Sequence, residues 1–348
     1  YFVSYFDYYQ PEAYLPATDT YIEKDSSINE EIERLRLSTV SSLMTRRDVV
    51  VVASVSCIYG LASPEDFGGM VLRVEVGGWQ GREGLLRRLV GMLYEREEME
   101  FGRGKFRVRG EVVEVYPSQE EGRVVRFEFF GEELERIVWV EERSGRVIEE
   151  VGEVVLFPAK QFVTPREKLE RALKGIEEEL EERVRWFEER GKLVEAQRIR
   201  LRTEHDLELL RELGYCPGVE NYSRHLSGRA PGTRPYTLMD FLPADTLVVI
   251  DESHVTVPQI GGMYAGDRSR KETLVEYGFR LPSALDNRPL NFEEFMESAR
   301  QILYVSATPG AFELANCFVG NEGWVKVEEI DVGERGEWLV LCEEEEFD

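Results

Sequence analysis

The pattern of apolar and polar positions divides the chain into stretches of different period. Residues 27–47 carry Ile28, Ile32, Leu35, Leu37, Val40 and Leu43 at helical spacing, with Ser26 or Ser27 as the cap and Glu30 three residues beyond Ser27. The uniform run Val49, Val50, Val51, Val52, Ala53 predicts a strand buried on both faces, as in a parallel sheet. Residues 67–160 then alternate apolar with charged, as in Phe106-Arg107-Val108-Arg109 and Val124-Val125-Arg126-Phe127-Glu128-Phe129. Period two predicts half-buried antiparallel strands, preceded by a helical piece over residues 82–95. Pro165 opens a charged helical stretch that Gly191 interrupts and Gly214 ends, which reads as a solvated helical hairpin. Residues 216–245, rich in Pro, Gly, Ser and Arg, read as loop. Two further buried strands, residues 246–250 and 301–305, run into Asp251-Glu252-Ser253-His254 and Ser306-Ala307-Thr308-Pro309.

The first 25 residues differ from all of this. Tyr1, Phe2, Tyr5, Phe6, Tyr8, Tyr9, Tyr14 and Tyr21 are punctuated by Pro11, Pro16 and Asp19, so the segment reads as extended strands with a turn. So many rings among acids are unusual for a core. Rings along a two-stranded ribbon stack on bases whatever the net charge of the protein.

That matters because the chain of 348 residues has a net charge of -25, with 43 basic against 68 acidic residues. Proteins that coat nucleic acid by bulk charge are usually basic. A local clamp remains open to an acidic chain. At about 150 residues per domain the length predicts two or three domains. Cys57, Cys216, Cys317 and Cys342 form no CxxC pair, which excludes a zinc ribbon and a disulfide scaffold and reads as cytosolic and reduced. No apolar run is long enough to cross a membrane, and there is no basic segment leading into an apolar one as in a signal peptide.

The two strand ends carry the chemistry. Acids at the carboxyl end of an apolar strand stand where open α/β sheets bind ligands. There Asp251 is suited to hold Mg²⁺, through water, and Glu252 to orient or deprotonate an attacking water. Ser306 and Thr308, small hydroxyl residues after the second strand, are placed to hydrogen-bond the neighbouring carboxylate and sense the nucleotide. Both motifs together are the pattern of a superfamily 2 helicase-type motor core. The phosphate cradle G-x-x-x-x-G-K-[ST] is absent from the sequence: neither Gly104-Lys105 nor Gly191-Lys192 is followed by Ser or Thr. From the residues alone, Arg96, Arg107 and Arg109 read as a solvated strand face, and Arg268, Arg270 and Lys271 as a surface loop.

Tyr5-Phe6-Asp7-Tyr8-Tyr9-Gln10-Pro11-Glu12-Ala13-Tyr14, Ser54-Val55-Ser56-Cys57-Ile58-Tyr59-Gly60-Leu61, the stretch from Asp251 through Gly261-Gly262-Met263-Tyr264, Leu281-Pro282-Ser283-Ala284-Leu285-Asp286-Asn287-Arg288-Pro289, and Ser306-Ala307-Thr308-Pro309-Gly310 resemble the UvrB family of bacterial nucleotide excision repair. The resemblance covers roughly residues 1–315. It implies an α/β fold: a RecA-like parallel-sheet motor domain, incomplete here, over residues 27–66 and 236–315, with an α+β UvrA-binding insert at 67–160, a helical insert at 161–235, and a DNA-clamping β-hairpin at 1–26. Residues 316–348 fit none of these. Arg96, Arg107 and Arg109 fall where the family contacts UvrA. Tyr5, Phe6, Tyr8, Tyr9, Tyr14 and Tyr21 fall on the hairpin that probes poorly stacked nucleotides, with Glu12 and Lys24 as polar DNA contacts near its tip and base. The family implies ATP and Mg²⁺ as cofactors, with UvrA, UvrC and damaged duplex DNA as partners. The phosphate-binding loop is expected before residue 1 and a second motor domain after residue 315, so the chain reads as an internal fragment without ATPase activity of its own. The alternative is a non-catalytic adaptor that binds UvrA and DNA, as in the transcription-repair coupling factor. The presence of Asp251, Glu252, Ser306, Thr308 and the tyrosines favours UvrB.

Overall fold

The computed structural model describes residues 1–78, 81–308 and 310–312. The expected tail at 316–348 lies outside them, as does Pro309. The chain opens in a hairpin built in two parts. β1 (Phe6–Gln10) pairs antiparallel with β4 (Asp25–Ile28), and beyond Pro11 the chain continues as β2 (Ala13–Leu15) against β3 (Thr20–Ile22). Because residues 25–28 are drawn into this sheet, the first helix begins later than its cap signals imply. α1 (Glu30–Thr45) is capped by Asn29, whose side chain accepts from the Glu31 and Ile32 amides. Asn29 also donates to Asp7, fastening the helix start to the hairpin.

The apolar run at 49–53 does not form a strand. It makes only an isolated parallel bridge, Phe2 with Ala53, and Val50 is 91% exposed. A buried parallel strand needs partners on both sides, and among the described residues this segment's backbone pairs with Phe2 alone. Phe2 is fully buried with Val40, Leu61, Phe67, Phe157 and Phe241, around α1 and α2 (Pro64–Gly69).

Residues 72–156 form a unit around its own core. β5 (Leu72–Glu75) and β12 (Glu153–Leu156) pair where the chain enters and leaves it. Between them α3 (Arg82–Gly91) packs on a six-stranded sheet of β6 (Glu95–Arg96), β7 (Lys105–Arg109), β8 (Val112–Tyr116), β9 (Arg123–Phe130), β10 (Glu133–Glu141) and β11 (Val147–Val151). The alternating pattern is fulfilled: Phe106, Val113, Val115, Val125, Phe127 and Ile137 point into the core with Leu85 and Leu89 of α3. One pairing, β6 with β7, is parallel rather than antiparallel.

α4 (Arg166–Glu188) and α5 (Leu193–Leu213) form the helical hairpin, turned at Gly191 and closed at Gly214, both with left-handed φ (68° and 70°) that a side chain would resist. It is less solvated than its charge implies. Ile176, Leu180, Val184 and Phe187 of α4 meet Ile199, Leu207 and Leu210 of α5 in one buried seam. Ion pairs Arg200–Glu181 and Arg211–Glu177 cross between the helices. α6 (Ser223–Ser227) follows in the 216–245 stretch.

β13 (Leu247–Ile250) lies parallel to β14 (Gln301–Tyr304), joined by α7 (Ser253–Glu276) and α8 (Phe292–Ser298). Ile250, Val257, Ile260, Leu290 and Phe295 bury one side of this pair. The other side is open, with Leu247, Val249 and Leu303 each about half exposed, where burial on both faces was expected. Arg268, Arg270 and Lys271 lie on α7 and not in a surface loop. Lys271 is buried, bonded to Asp267 and to the carbonyl of Asn287.

Candidate functional site

The hairpin carries two groups of rings with opposite fates. At its distal end Tyr14 and Tyr21 are cross-strand partners. Tyr21 stacks on Phe279 with centroids 4.5 Å apart and planes 2° from parallel, and Tyr14 lies 4.9 Å from the same ring. Arg198 covers Phe279 at 4.1 Å. The turn itself is held by Asp19, in the left-handed region at φ 49°, whose carboxylate accepts from the Tyr14 hydroxyl at 2.6 Å.

Below these rings Glu12 is buried. One carboxylate oxygen accepts from Arg280 Nε at 2.7 Å and the other from the Tyr21 hydroxyl at 2.6 Å. Its backbone carbonyl accepts from Arg270 at 2.7 Å. Burial, with the hydrogen bond to Glu12, pushes the Tyr21 phenol up to about 12, so it stays a neutral donor. Lys24 pairs with Glu220 at 2.9 Å. In this arrangement both charges are paired with the body of the protein, Glu12 in a buried site and Lys24 in a partly exposed one. Tyr14 and Tyr21 are likewise committed to the body.

The proximal rings are arranged otherwise. Tyr5, Phe6 and Tyr9 form a ladder with centroids 4.3 and 4.7 Å apart. Its inner end rests under the buried Arg36, which lies 4.8 Å from the Tyr5 ring and 3.7 Å from that of Phe2. Burial pushes the Tyr5 phenol up to about 12. Tyr8 and Tyr9 remain 50% and 47% exposed. Tyr8 and Tyr9 are thus the most open of the expected DNA-contacting rings on the hairpin; Tyr21 keeps an exposed edge, Tyr5, Phe6, Tyr14 and Lys24 are partly covered, and Glu12 is buried. The structure adds Arg280, Arg270, Phe279 and Glu220, which lie some two hundred residues or more along the chain and leave no local pattern in the sequence.

At the far end of the parallel pair, the register brings the two motifs together. Val305 N–H donates to the Ile250 carbonyl at 2.9 Å, and Ser253 N–H to the Val305 carbonyl at 3.0 Å. Asp251 and Glu252 therefore stand beside Ser306 and Thr308. Glu252 has φ 44°, a strained position for a residue with a β-carbon, of a kind concentrated at functional sites. Ser306 does not bond a carboxylate, as its motif implied. Its hydroxyl meets His254 Nδ1 at 2.7 Å, and Glu252 Oε2 lies 3.4 Å from the same nitrogen. His254 is thus the link between the motifs. Thr308 is exposed and donates its amide to Ser306 Oγ at 3.1 Å. Asp251 accepts the Glu252 amide through one oxygen and is exposed, so its other oxygen is free to face a hard cation.

On the insert sheet, Arg107, Glu114 and Arg126 lie in register on adjacent strands. Glu114 is buried between the two guanidiniums, with Arg126 at 2.8 Å. Burial alone would raise its carboxyl, but the hydrogen bonds from Arg107 and Arg126 outweigh this and hold it below 4.5. Arg107 also covers the Phe101 ring at 4.2 Å. It is fixed in place, which corrects the reading of a freely solvated strand face. Arg96 and Arg109 are exposed, and Arg96 lies 3.5 Å from Glu98.

A mixed α/β protein with acids and a Ser-Ala-Thr segment on adjacent parallel strands, a sheet insert and a clasped aromatic hairpin is a recognisable combination. Residues 72–162 match the UvrB interaction domain and residues 167–228 the UvrB third helical domain. The chain is 62% identical over 314 residues to UvrABC system protein B of Carboxydothermus hydrogenoformans, covering 90% of this chain and 47% of that protein. It is 58% identical to the proteins of the same name from Caldicellulosiruptor bescii and Methanothermobacter thermautotrophicus, covering 90% of this chain and 48% and 49% of theirs. The chain belongs to the UvrB family, and spans about half the length of the relatives it matches.

Proposed function

We propose that this chain clamps DNA in nucleotide excision repair. The exposed Tyr8 and Tyr9 stack against bases while the distal hairpin is latched to the body. The carrying observation is the division of the hairpin: the Tyr21–Phe279 stack and the buried Glu12–Arg280 pair fasten one end, and the rings left exposed sit beside that fastening. A strand of DNA held under the hairpin would meet Tyr8 and Tyr9, and a lesion that weakens stacking lowers the cost of extruding a base. Such binding does not require a basic protein.

The parallel pair β13–β14 is read as part of a RecA-like motor domain. Asp251 would hold Mg²⁺, which neutralises charge on a nucleotide's phosphates, Glu252 would orient water, and His254 would carry the state of the acids to Ser306. The insert is read as the UvrA-docking part, through Arg96, Arg107 and Arg109; UvrC is a partner of the complete system. Since the sequence contains no G-x-x-x-x-G-K-[ST], the 348 residues themselves act as a DNA- and partner-binding module rather than as an ATPase.

The test is equilibrium binding of a lesion-bearing duplex to the chain and to Tyr8→Ala/Tyr9→Ala. Base–aromatic stacking at about 1–3 kcal/mol per ring predicts a loss of roughly 30-fold or more in Kd. Thermal melting should not change, because both rings are half exposed. Unchanged affinity would exclude the clamp, and a collapsed melt would make the rings structural.

A further inference from the structure

Away from the hairpin, a cavity of about 400 Å³ opens between the first turns of α4 and the carboxyl end of α6. We propose that it binds a phosphate group. Lys168, Arg171, Arg224, His225 and Arg229 line it, and no acid does. In a chain of net charge -25 such a lining is unusual.

The cations are of two kinds. Lys168, Arg224 and His225 face the cavity but have carboxylates behind them: Asp66 for Lys168, Asp286 for Arg224, and Glu179 for both Arg224 and His225. Arg171 and Arg229 have no ion-pair partner among the described residues. Arg229 is largely enclosed, and its donors go to neutral oxygens: Ser227 Oγ at 2.9 Å, the Thr233 carbonyl at 2.9 Å, Ser223 Oγ at 3.3 Å and the Asp286 carbonyl at 3.4 Å. Burial holds its guanidinium below the usual range, and the nearby Asp286 charge offsets this only in part. Four formal cations thus surround the cavity against the three carboxylates Asp66, Glu179 and Asp286, all of which lie outside its lining.

The helix end does not cancel this field. The carbonyls of the last turn of α6 are occupied: Arg229 N–H donates to the Arg224 carbonyl, Gly228 N–H to that of His225, and Ser227 Oγ to that of Ser223. Guanidinium- and ammonium-bearing residues make up much of the lining, and a guanidinium's fork suits a phosphate's oxygens. The group has two plausible sources, free phosphate or the phosphodiester of a nucleic-acid strand, and the inference does not depend on the clamp reading.

Calorimetric titration of the whole chain with inorganic phosphate, and separately with a dinucleoside phosphodiester, distinguishes the sources. Both are run against chloride at matched ionic strength. Binding of either probe is expected, with affinity about tenfold lower in Arg171→Gln and lowered in Arg229→Lys. Arg171 is exposed, so Arg171→Gln keeps the fold, which circular dichroism checks. If phosphate alone binds, the site takes free anions, and if the diester binds, it holds a strand. Binding of neither probe beyond the chloride control, or affinity unchanged in Arg171→Gln, would overturn the proposal.

Discussion

Replacing Glu12 by Ala should release the far end of the hairpin. The side chains of Glu12 and Arg280 are only 7% and 5% exposed, and Arg280 Nη1 already has no hydrogen-bond partner. Removing the carboxylate leaves a buried guanidinium without its counter-charge, a loss of about 3–5 kcal/mol for such pairs. The Tyr21 hydroxyl loses its acceptor as well, worth about 1 kcal/mol. The pair ties residues far apart in the chain, so the loss falls on the closed state of the hairpin and not on the insert, whose core is separate. Hydrogen exchange read by mass spectrometry should show protection of the amides of residues 13–22 falling by roughly 700-fold to 20,000-fold, at about 1.4 kcal/mol per tenfold. Peptides of the insert sheet serve as the internal reference. Glu12→Leu with Arg280→Met should recover most of the protection, because an apolar pair of similar volume has no charge to desolvate. A change of less than about fivefold in Glu12→Ala would refute the reasoning, since a buried guanidinium cannot be stranded at so small a cost.

Arg109→Glu should weaken UvrA capture in a pull-down and leave the melt unchanged, because the side chain is exposed. Arg107→Glu should also lower the melting temperature, since it sets a second carboxylate against the buried Glu114. Glu114 is held below 4.5 in the folded chain, so its contribution to stability is complete above that pH and lost as the pH falls further through its folded value. Acid titration followed by near-ultraviolet circular dichroism should show the insert loosening in that window, and an Arg126→Gln variant should loosen at higher pH. ATP turnover by the chain with DNA should equal that of Glu252→Gln, and turnover above this control would contradict the module reading.

What could be read in the sequence was whatever local periodicity encodes. Period two gave the insert because one sheet face packs on α3 while the other carries Arg107, Glu114 and Arg126. Gly191 and Gly214 gave the helical hairpin because both end turns require left-handed backbone. Failures came where distant pairing decides. Val49, Val50, Val51 and Val52 look like a buried strand, yet among the described residues their backbone pairs with Phe2 alone. Ser26 and Ser27 look like caps, yet strand pairing with Tyr8 and Tyr9 claims them first. Arg268, Arg270 and Lys271 resemble a loop because Pro258, Gly261, Gly262 and Gly266 blur the helical pattern ahead of them, while Leu274 and Lys271 are buried on α7. The same limit holds at the site. The tyrosines announce themselves, but which of them are free depends on Phe279 and Arg280, more than 250 residues away in the chain.

The central claim, that Tyr8 and Tyr9 face bases while Tyr14 and Tyr21 do not, is tested most directly by photo-crosslinking. A duplex carrying 5-iodouracil next to a lesion would be bound by the chain, irradiated and digested, and the crosslinked residue identified by mass spectrometry. The account predicts adducts on Tyr8 or Tyr9. Adducts on Tyr14 or Tyr21, whose rings lie against Phe279, or confined to the helical hairpin, would contradict it.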